Sequence, residues 1–142
     1  MARLRGGIGA LVLDAEGLSK LANGVPRAVS FAMDAHDLGA PVVVAASTLT
    51  EVIRGSRDAP VHRVLKQIEI SPVDAATARE AGELLGRARL SGHRYALDAL
   101  VAAVAMAQPR PVVLLTSDSK DMQRLTEEPG RPRRERITVV HV

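Results

Sequence analysis

The stretch that decides the fold is ALVLD at residues 10–14, four apolar residues that end in the carboxylate of Asp14. A second apolar run, VVV at residues 42–44, comes shortly before Glu51. A third, VVLL at residues 112–115, comes shortly before Asp118. Continuous apolar runs of this length are typical of strands covered on both faces, as in parallel sheets. Because residues just past the carboxyl ends of parallel strands face one crevice, we expect these three acids to lie together.

The rest of the chain is predicted to alternate helices and strands around this framework. Strands are expected at 10–14, 42–45, 68–73, 111–116 and 137–142, the last at an edge of the sheet. Helices are expected at 18–22, 26–39, 48–54, 62–67, 74–90, 96–107 and 119–125. An exposed loop rich in Pro, Gly and Arg is expected at 127–136. The predicted fold class is α/β, a three-layer sandwich with a central, mostly parallel sheet of about five strands, and residues 1–142 are expected to form a single domain.

The amino-acid composition excludes several kinds of functional site. The chain has no cysteine, which excludes disulfides, thiolate nucleophiles and zinc–cysteine sites. Its aromatic residues are only Phe31 and Tyr95, too few for base stacking to be the main route to nucleic acid. The net charge is +3, and most of the cations are arginine, whose planar fork suits phosphate. A coding bias towards arginine is the alternative explanation. No targeting or membrane-spanning segment is apparent, so a cytoplasmic protein is expected.

Each of the three acids that follow strands has a structural alternative. Asp14 and Asp118 are residues of the type that caps the amino end of a helix. Glu51 stands three residues after Thr48, which is the spacing of a capping box. Taken singly, these explanations suffice.

The position of Asp98 favours a functional role for all four acids. It interrupts a stretch, residues 95–107, that is otherwise apolar or small and is predicted to be a buried helix. An ionised carboxylate there costs several kcal/mol unless a cation or hydrogen-bond donors compensate. The dipole of the helix contributes only about 0.3–1 kcal/mol. A divalent cation compensates far better, so the four acids together predict the site of a metal-dependent nuclease.

The order and spacing of these motifs resemble a known family. LVLDA around Asp14, SxxxE ending at Glu51, LDALVA around Asp98 and LTSD ending at Asp118 are similar to the PIN-domain ribonucleases. The nearest likeness is to the VapC-type toxins of bacterial toxin–antitoxin pairs. The resemblance runs from about residue 10 to the end of the chain. It implies a PIN-like fold and endonucleolytic cleavage of RNA that depends on Mg²⁺ or Mn²⁺.

The resemblance also implies roles for individual residues. By position, the catalytic and metal-binding acids would be Asp14, Glu51, Asp98 and Asp118, with Asp121 as a further candidate ligand and with Thr116 and Ser117 as supporting hydroxyls. Many relatives carry another acid where this chain has Tyr95, so a second metal ion would be held weakly or not at all. The implied partners are an RNA substrate, a cognate antitoxin protein and a second copy of the chain in a homodimer.

An acidic site repels phosphate, so basic groups are expected to hold the substrate. Arg133 and Arg134 lie in the densest basic segment, and Arg94 precedes Asp98 by four residues. A solvated loop is the alternative for the first two. The sequence leaves three alternative functions open: a receiver-like phosphoacceptor domain, a catalytically silent PIN-like binding module, and a housekeeping RNA-processing nuclease.

Overall fold

The computed structural model describes Leu4 and residues 7–142. Five strands form one sheet in the order β3-β2-β1-β4-β5, and every pair of neighbouring strands is parallel. The strands are β1 (Ala10–Leu13), β2 (Val42–Ala45), β3 (Glu69–Ser71), β4 (Val112–Thr116) and β5 (Thr138–His141). The last strand lies at an edge, as the sequence predicts.

Helices cover both faces of this sheet. Those described are α1 (Ala15–Ala22), α2 (Pro26–Asp37), α3 (Leu49–Val52), α4 (Ala59–Leu65), α5 (Ala75–Ala88), α6 (Gly92–Met106) and α7 (Ser119–Leu125). One apolar core packs α5, α6 and α7 against one face of the sheet. A second core packs α1, α2 and α4 against the other face. Alternation along β1 explains the two cores, because Val12 belongs to the first and Leu11 and Leu13 to the second. The predicted three-layer α/β fold is confirmed.

The register of the sheet brings the ends of its central strands level. Leu13, the last residue of β1, pairs with Val44 of β2 and with Leu115 of β4. Thr116, the last residue of β4, pairs with His141 of β5. The segments that follow these strands therefore leave the sheet on one side, which we call the carboxyl edge. The opposite side, where the strands begin, is the amino edge.

The helix that carries Asp98 differs from the prediction. It begins at Gly92, not at residue 96, and its first turns are not buried: Leu97 is 39% exposed. Burial begins at Ala99 and continues from Val101 to Ala105, where the helix packs in the core. The expectation of a helix buried along its whole length was wrong, because a uniformly apolar sequence does not reveal which turns the neighbouring elements cover.

Other differences are smaller. The helix α1 starts directly after Asp14, three residues earlier than predicted. The helix expected at 48–54 is a 3₁₀ turn, Ala46–Thr48, followed by the short α3. The loop expected at 127–136 contains a 3₁₀ turn at Arg133–Glu135. In the part of the chain that the structure describes, no helix is long and apolar enough to cross a membrane.

Candidate active site

Asp14 is held at the carboxyl edge by its own helix cap. It follows β1, is only 7% exposed, and its Oδ1 accepts a hydrogen bond of 2.8 Å from the Gly17 amide. Its own amide donates to the Leu115 carbonyl of the neighbouring strand, at 3.2 Å. The capping role considered for Asp14 is therefore real. It fixes the carboxylate against β4 and does not exclude a second role.

A comparison with Asp74 shows what burial adds. Asp74 caps α5 with the same geometry, accepting from the Thr77 amide at 2.8 Å, and because it is exposed these hydrogen bonds lower its pKa. The pKa of Asp14 is raised instead, because burial outweighs its hydrogen bonds from Gly17 and Thr116. A cap alone has no need of a buried charge, so Asp14 resembles a functional carboxylate more than a structural one.

Glu51 lies on α3 and does not form the capping box. Thr48 makes no side-chain cap bond, and its buried Oγ1 has no hydrogen-bond partner within the described residues. Partial loss of water around Glu51 raises its pKa, and so do the negative charges of Asp98 and Asp14. Glu51 therefore faces the other acids.

Asp98 has the most strongly perturbed pKa in this group. Partial burial and then the charges of Asp118, Asp14 and Asp121 raise its pKa to about 6. No cation among the residues that the structure describes acts in the opposite direction. Although the helix around Asp98 is less buried than expected, the carboxylate still carries an uncompensated charge beside other acids.

Two hydroxyl positions precede the acid at the start of α7. Thr116 is fully buried, and its Oγ1 accepts a hydrogen bond of 3.0 Å from the Asp118 amide. The same hydroxyl contributes to the hydrogen bonding of Asp14. Thr116 thus links the first and last acids of the set. Ser117 and Asp118 are exposed, and the Asp118 side chain does not cap α7.

Mutual repulsion therefore connects acids from four separate parts of the chain. Asp121 belongs to this set through Asp98, although it also approaches Arg124 at 4.0 Å. Sequence reasoning missed Glu16, an exposed residue in the first turn of α1 whose charge acts on both Asp14 and Glu51. The signal for it was its place two residues after Asp14, just past the strand.

The chemistry of this donor set fits a hard divalent cation. All the donors are oxygen atoms, and none of the ion pairs between described residues neutralises Asp14, Glu51, Asp98 or Asp118. Within Leu4 and residues 7–142, no three acidic or histidine side chains are already arranged to hold a metal ion. Mg²⁺ keeps several waters and needs only one or two direct carboxylates. The acids thus supply charge and oxygen ligands without forming a closed cage.

Of the basic residues expected to bind RNA, Arg94 lies apart from Arg133 and Arg134. Arg94 is exposed in the first turn of α6, stacked over Tyr95 at 5.2 Å from the ring centre. Arg133 and Arg134 lie at the amino edge, because Arg110, just before β4, binds Glu128 and the Glu135 carbonyl on either side of them. About one strand length, roughly 15 Å, separates these two from the acids. Their role in RNA binding stays a prediction.

The sequence matches the family model described as PIN domain over residues 11–128. This match leaves no support for the receiver-like alternative. None of the curated proteins matches the sequence significantly.

Several solved structures share the fold. VapBC2 from Rickettsia felis bound to a DNA fragment from its promoter has 17% identity and a TM-score of 0.65, covering 94% of this chain and 98% of that chain. DNA-bound VapBC from Salmonella typhimurium has 17% identity and a TM-score of 0.61, covering 92% and 97%. A toxin–antitoxin complex from Klebsiella pneumoniae has 21% identity and a TM-score of 0.59, covering 79% and 89%. At these identities the likeness establishes the fold alone.

Proposed function

The chain belongs to the PIN-domain family, and from that membership we propose that it is a metal-dependent endoribonuclease that cleaves RNA phosphodiester bonds. The family is one of nucleases in general. The observation that carries the proposal is the convergence of Asp14, Glu51 and Asp98 at the carboxyl edge, each with a raised pKa and without a cationic partner among the described residues. A structural role would have favoured neutralised acids.

The proposed division of labour follows from what each residue contacts. Asp14, Glu51, Asp98 and Asp118 would hold Mg²⁺ or Mn²⁺, with Asp121 at the margin of the set. When bound, the ion supplies an activated water and stabilises the charge that develops on phosphate oxygens. Gly17 and Thr116 orient Asp14, and Thr116 also fixes the main chain at Asp118. Asp98 is the residue best able to retain a proton near neutral pH before the ion binds.

Cleavage assays with the purified protein test the activity directly. A labelled RNA containing single-stranded loops should be cut internally with Mg²⁺ or Mn²⁺, and EDTA should stop the reaction. Addition of excess Mg²⁺ should restore it. Cleavage that persists at full rate in EDTA would contradict the proposal, as would the absence of cleavage with every divalent ion over a broad set of RNAs.

We further propose that the protein is the toxin of a toxin–antitoxin pair and acts in the cytoplasm as a homodimer. Support comes from its structural neighbours, which include VapBC assemblies and a toxin–antitoxin complex. Expression of the chain alone should arrest growth, and co-expression of an adjacent small gene should restore it. Light scattering should give twice the mass of the chain. Harmless expression of an active nuclease would instead indicate a housekeeping role in RNA processing.

One observation keeps a second candidate function in view. No three acidic or histidine side chains in the described part of the chain are already arranged to hold a metal ion, which is also what a catalytically silent PIN-like binding module would present. Metal binding separates the two. Calorimetry with Mn²⁺ should detect a site in the enzyme, and the heat should be lost in Asp98→Asn. A silent module would bind RNA or a protein partner equally well with and without Mn²⁺.

A further inference from the structure

The first turn of α1 lies unusually close to the backbone of β4. A Cβ atom placed on Gly17 would stand 2.8 Å from the Leu115 carbonyl oxygen and 3.3 Å from the Leu115 Cβ. The first of these distances is shorter than Cβ atoms normally show, and the obstructing atom is backbone of a central strand, not the end of a flexible side chain. Gly17 is itself buried. Only a residue without a side chain fits between α1 and β4 here.

The same carbonyl positions the first acid of the site. The Leu115 oxygen accepts the hydrogen bond from the Asp14 amide at 3.2 Å, and the Gly17 amide donates to Asp14 Oδ1 at 2.8 Å. A methyl group on residue 17 would therefore press on the oxygen that holds the Asp14 backbone. It would also displace the amide that holds the Asp14 carboxylate. Two of the contacts that fix this acid therefore depend on the absence of a side chain at Gly17.

We infer that Gly17 is a positioning residue for metal binding, since the absence of its side chain sets the place of the Asp14 carboxylate relative to Thr116 and Asp118. This inference rests on the proposed metal-dependent function. Leu115 directly precedes Thr116, so the displacement would alter the spacing between Asp14 and the acid that follows β4. Groups that orient a ligand typically change metal affinity by about 10- to 100-fold when they are lost.

The test is the variant Gly17→Ala, studied with Mn²⁺ by calorimetry on fully folded protein at low temperature. We expect the dissociation constant for Mn²⁺ to rise about 10- to 100-fold. Cleavage should fall at low Mn²⁺ and recover in part at high Mn²⁺. The amide proton of residue 17 gives a readout without metal: it should exchange slowly in the wild-type protein and faster in the variant, because the bond to Asp14 is lost.

Two control variants separate positioning from stability. Gly82→Ala makes the same chemical change inside α5, where no described atom beyond the helix's own backbone lies within 4 Å of the added Cβ, and should leave Mn²⁺ affinity unchanged. Ile137→Ala removes a core contact near the amino edge and should lower the melting temperature without changing the Mn²⁺ affinity of the folded protein.

The outcomes distinguish this inference from the proposed function. If wild-type protein binds no Mn²⁺, the proposed function fails and this inference falls with it. If the wild type binds Mn²⁺ and folded Gly17→Ala binds it equally well, the inference alone is overturned. Should Gly17→Ala not fold, the wild-type amide decides: rapid exchange of the Gly17 proton in an otherwise protected α1 would show that the amide does not hold Asp14.

Discussion

Partly buried carboxylates at the amino edge and at the carboxyl edge of the sheet have pKa values shifted in opposite directions. At the amino edge, burial alone would raise the pKa of Glu128, but Arg110 and Arg131 donate to its carboxylate at 3.0 and 2.9 Å and lower it. At the carboxyl edge, burial and neighbouring acids raise the pKa of Asp98 to about 6. The two sites differ in the charge of their neighbours. Arginine makes the amino edge a structural clamp, whereas no arginine among the described residues forms an ion pair with Asp14, Glu51, Asp98 or Asp118 at the carboxyl edge.

From this difference we expect the carboxyl edge to be less stable than the amino edge. The Arg110–Glu128 pair closes the segment between α7 and β5 against the start of β4. We expect repulsion among the acids of the carboxyl edge to lower the stability of the fold when no cation is bound. Such local conflict within an otherwise consistent structure is expected at functional sites.

The largest effect is expected on catalysis at the carboxyl edge. Asp98→Asn keeps the shape of the side chain but removes a charge that the proposed metal ion would need, so cleavage should fall on the order of 100-fold or more. Single-turnover cleavage of a labelled RNA at saturating Mg²⁺ measures this. Glu83→Gln, the same change on the exposed face of α5, is the matched control and should retain full activity. A folded Asp98→Asn enzyme with wild-type turnover would remove the functional side of the contrast.

The amino edge should respond in stability and not in metal binding. Arg110→Ala leaves Glu128 partly buried without its main partner and should lower the free energy of unfolding by about 2–3 kcal/mol. Urea denaturation in the absence of metal measures the loss. The double variant Arg110→Ala with Glu128→Gln should recover part of it. A large fall in Mn²⁺ affinity in Arg110→Ala would mean that the edges are not independent.

The pH dependence of stability should reveal the repulsion at Asp98. Its pKa is about 6 in the folded protein and 3.8 ordinarily. The folded state therefore holds the proton more tightly, and this stabilisation is lost as pH rises from about 4 to 6. Asp98→Asn lacks that loss. Without metal it should be more stable than wild type at pH 7 by about 1–2 kcal/mol, less than the full shift implies because the site is partly solvated.

That prediction is checked by urea denaturation at pH 4.5 and pH 7.5 in EDTA. The advantage of Asp98→Asn should be clear at the higher pH and small at the lower. Millimolar Mn²⁺ should reverse the order at pH 7.5, because the ion stabilises only the protein that binds it. Equal stabilities of the two proteins across this range would show that Asp98 is not repelled by its neighbours.

The smallest effect concerns RNA contacts away from the reacting phosphate. If Arg133 and Arg134 bind phosphates, replacing both with Ala should flatten the slope of log affinity against log salt by about 0.7 per contact on single-stranded RNA. Turnover should hardly change, because the two residues lie at the amino edge. Arg94→Ala should lower turnover more than binding. An unaltered salt slope would make residues 127–136 a solvated loop clamped by Arg110.

Much of this picture could be predicted because it depends on local pattern. Apolar runs of three or four residues at β1, β2 and β4 identify strands covered on both faces. Acids placed just after such strands must reach a common edge. The start of α6 could not be predicted, because nothing in residues 92–98 tells which side chains its neighbours cover.

What only the tertiary structure decided is the surroundings of each charge. Asp14 and Asp74 both cap a helix in the structure, and burial is the main reason that the pKa of Asp14 is raised while that of Asp74 is lowered. From the sequence, Arg133 and Arg134 were expected to lie beside the acidic site, but the register of the sheet places them at the amino edge. The sequence by itself determined the strands and the edge where the acids meet, because hydrophobic periodicity is local. The residues that surround each charged group, and the β4 backbone that lies close to Gly17, come from distant segments of the chain. Local sequence patterns therefore do not reveal them.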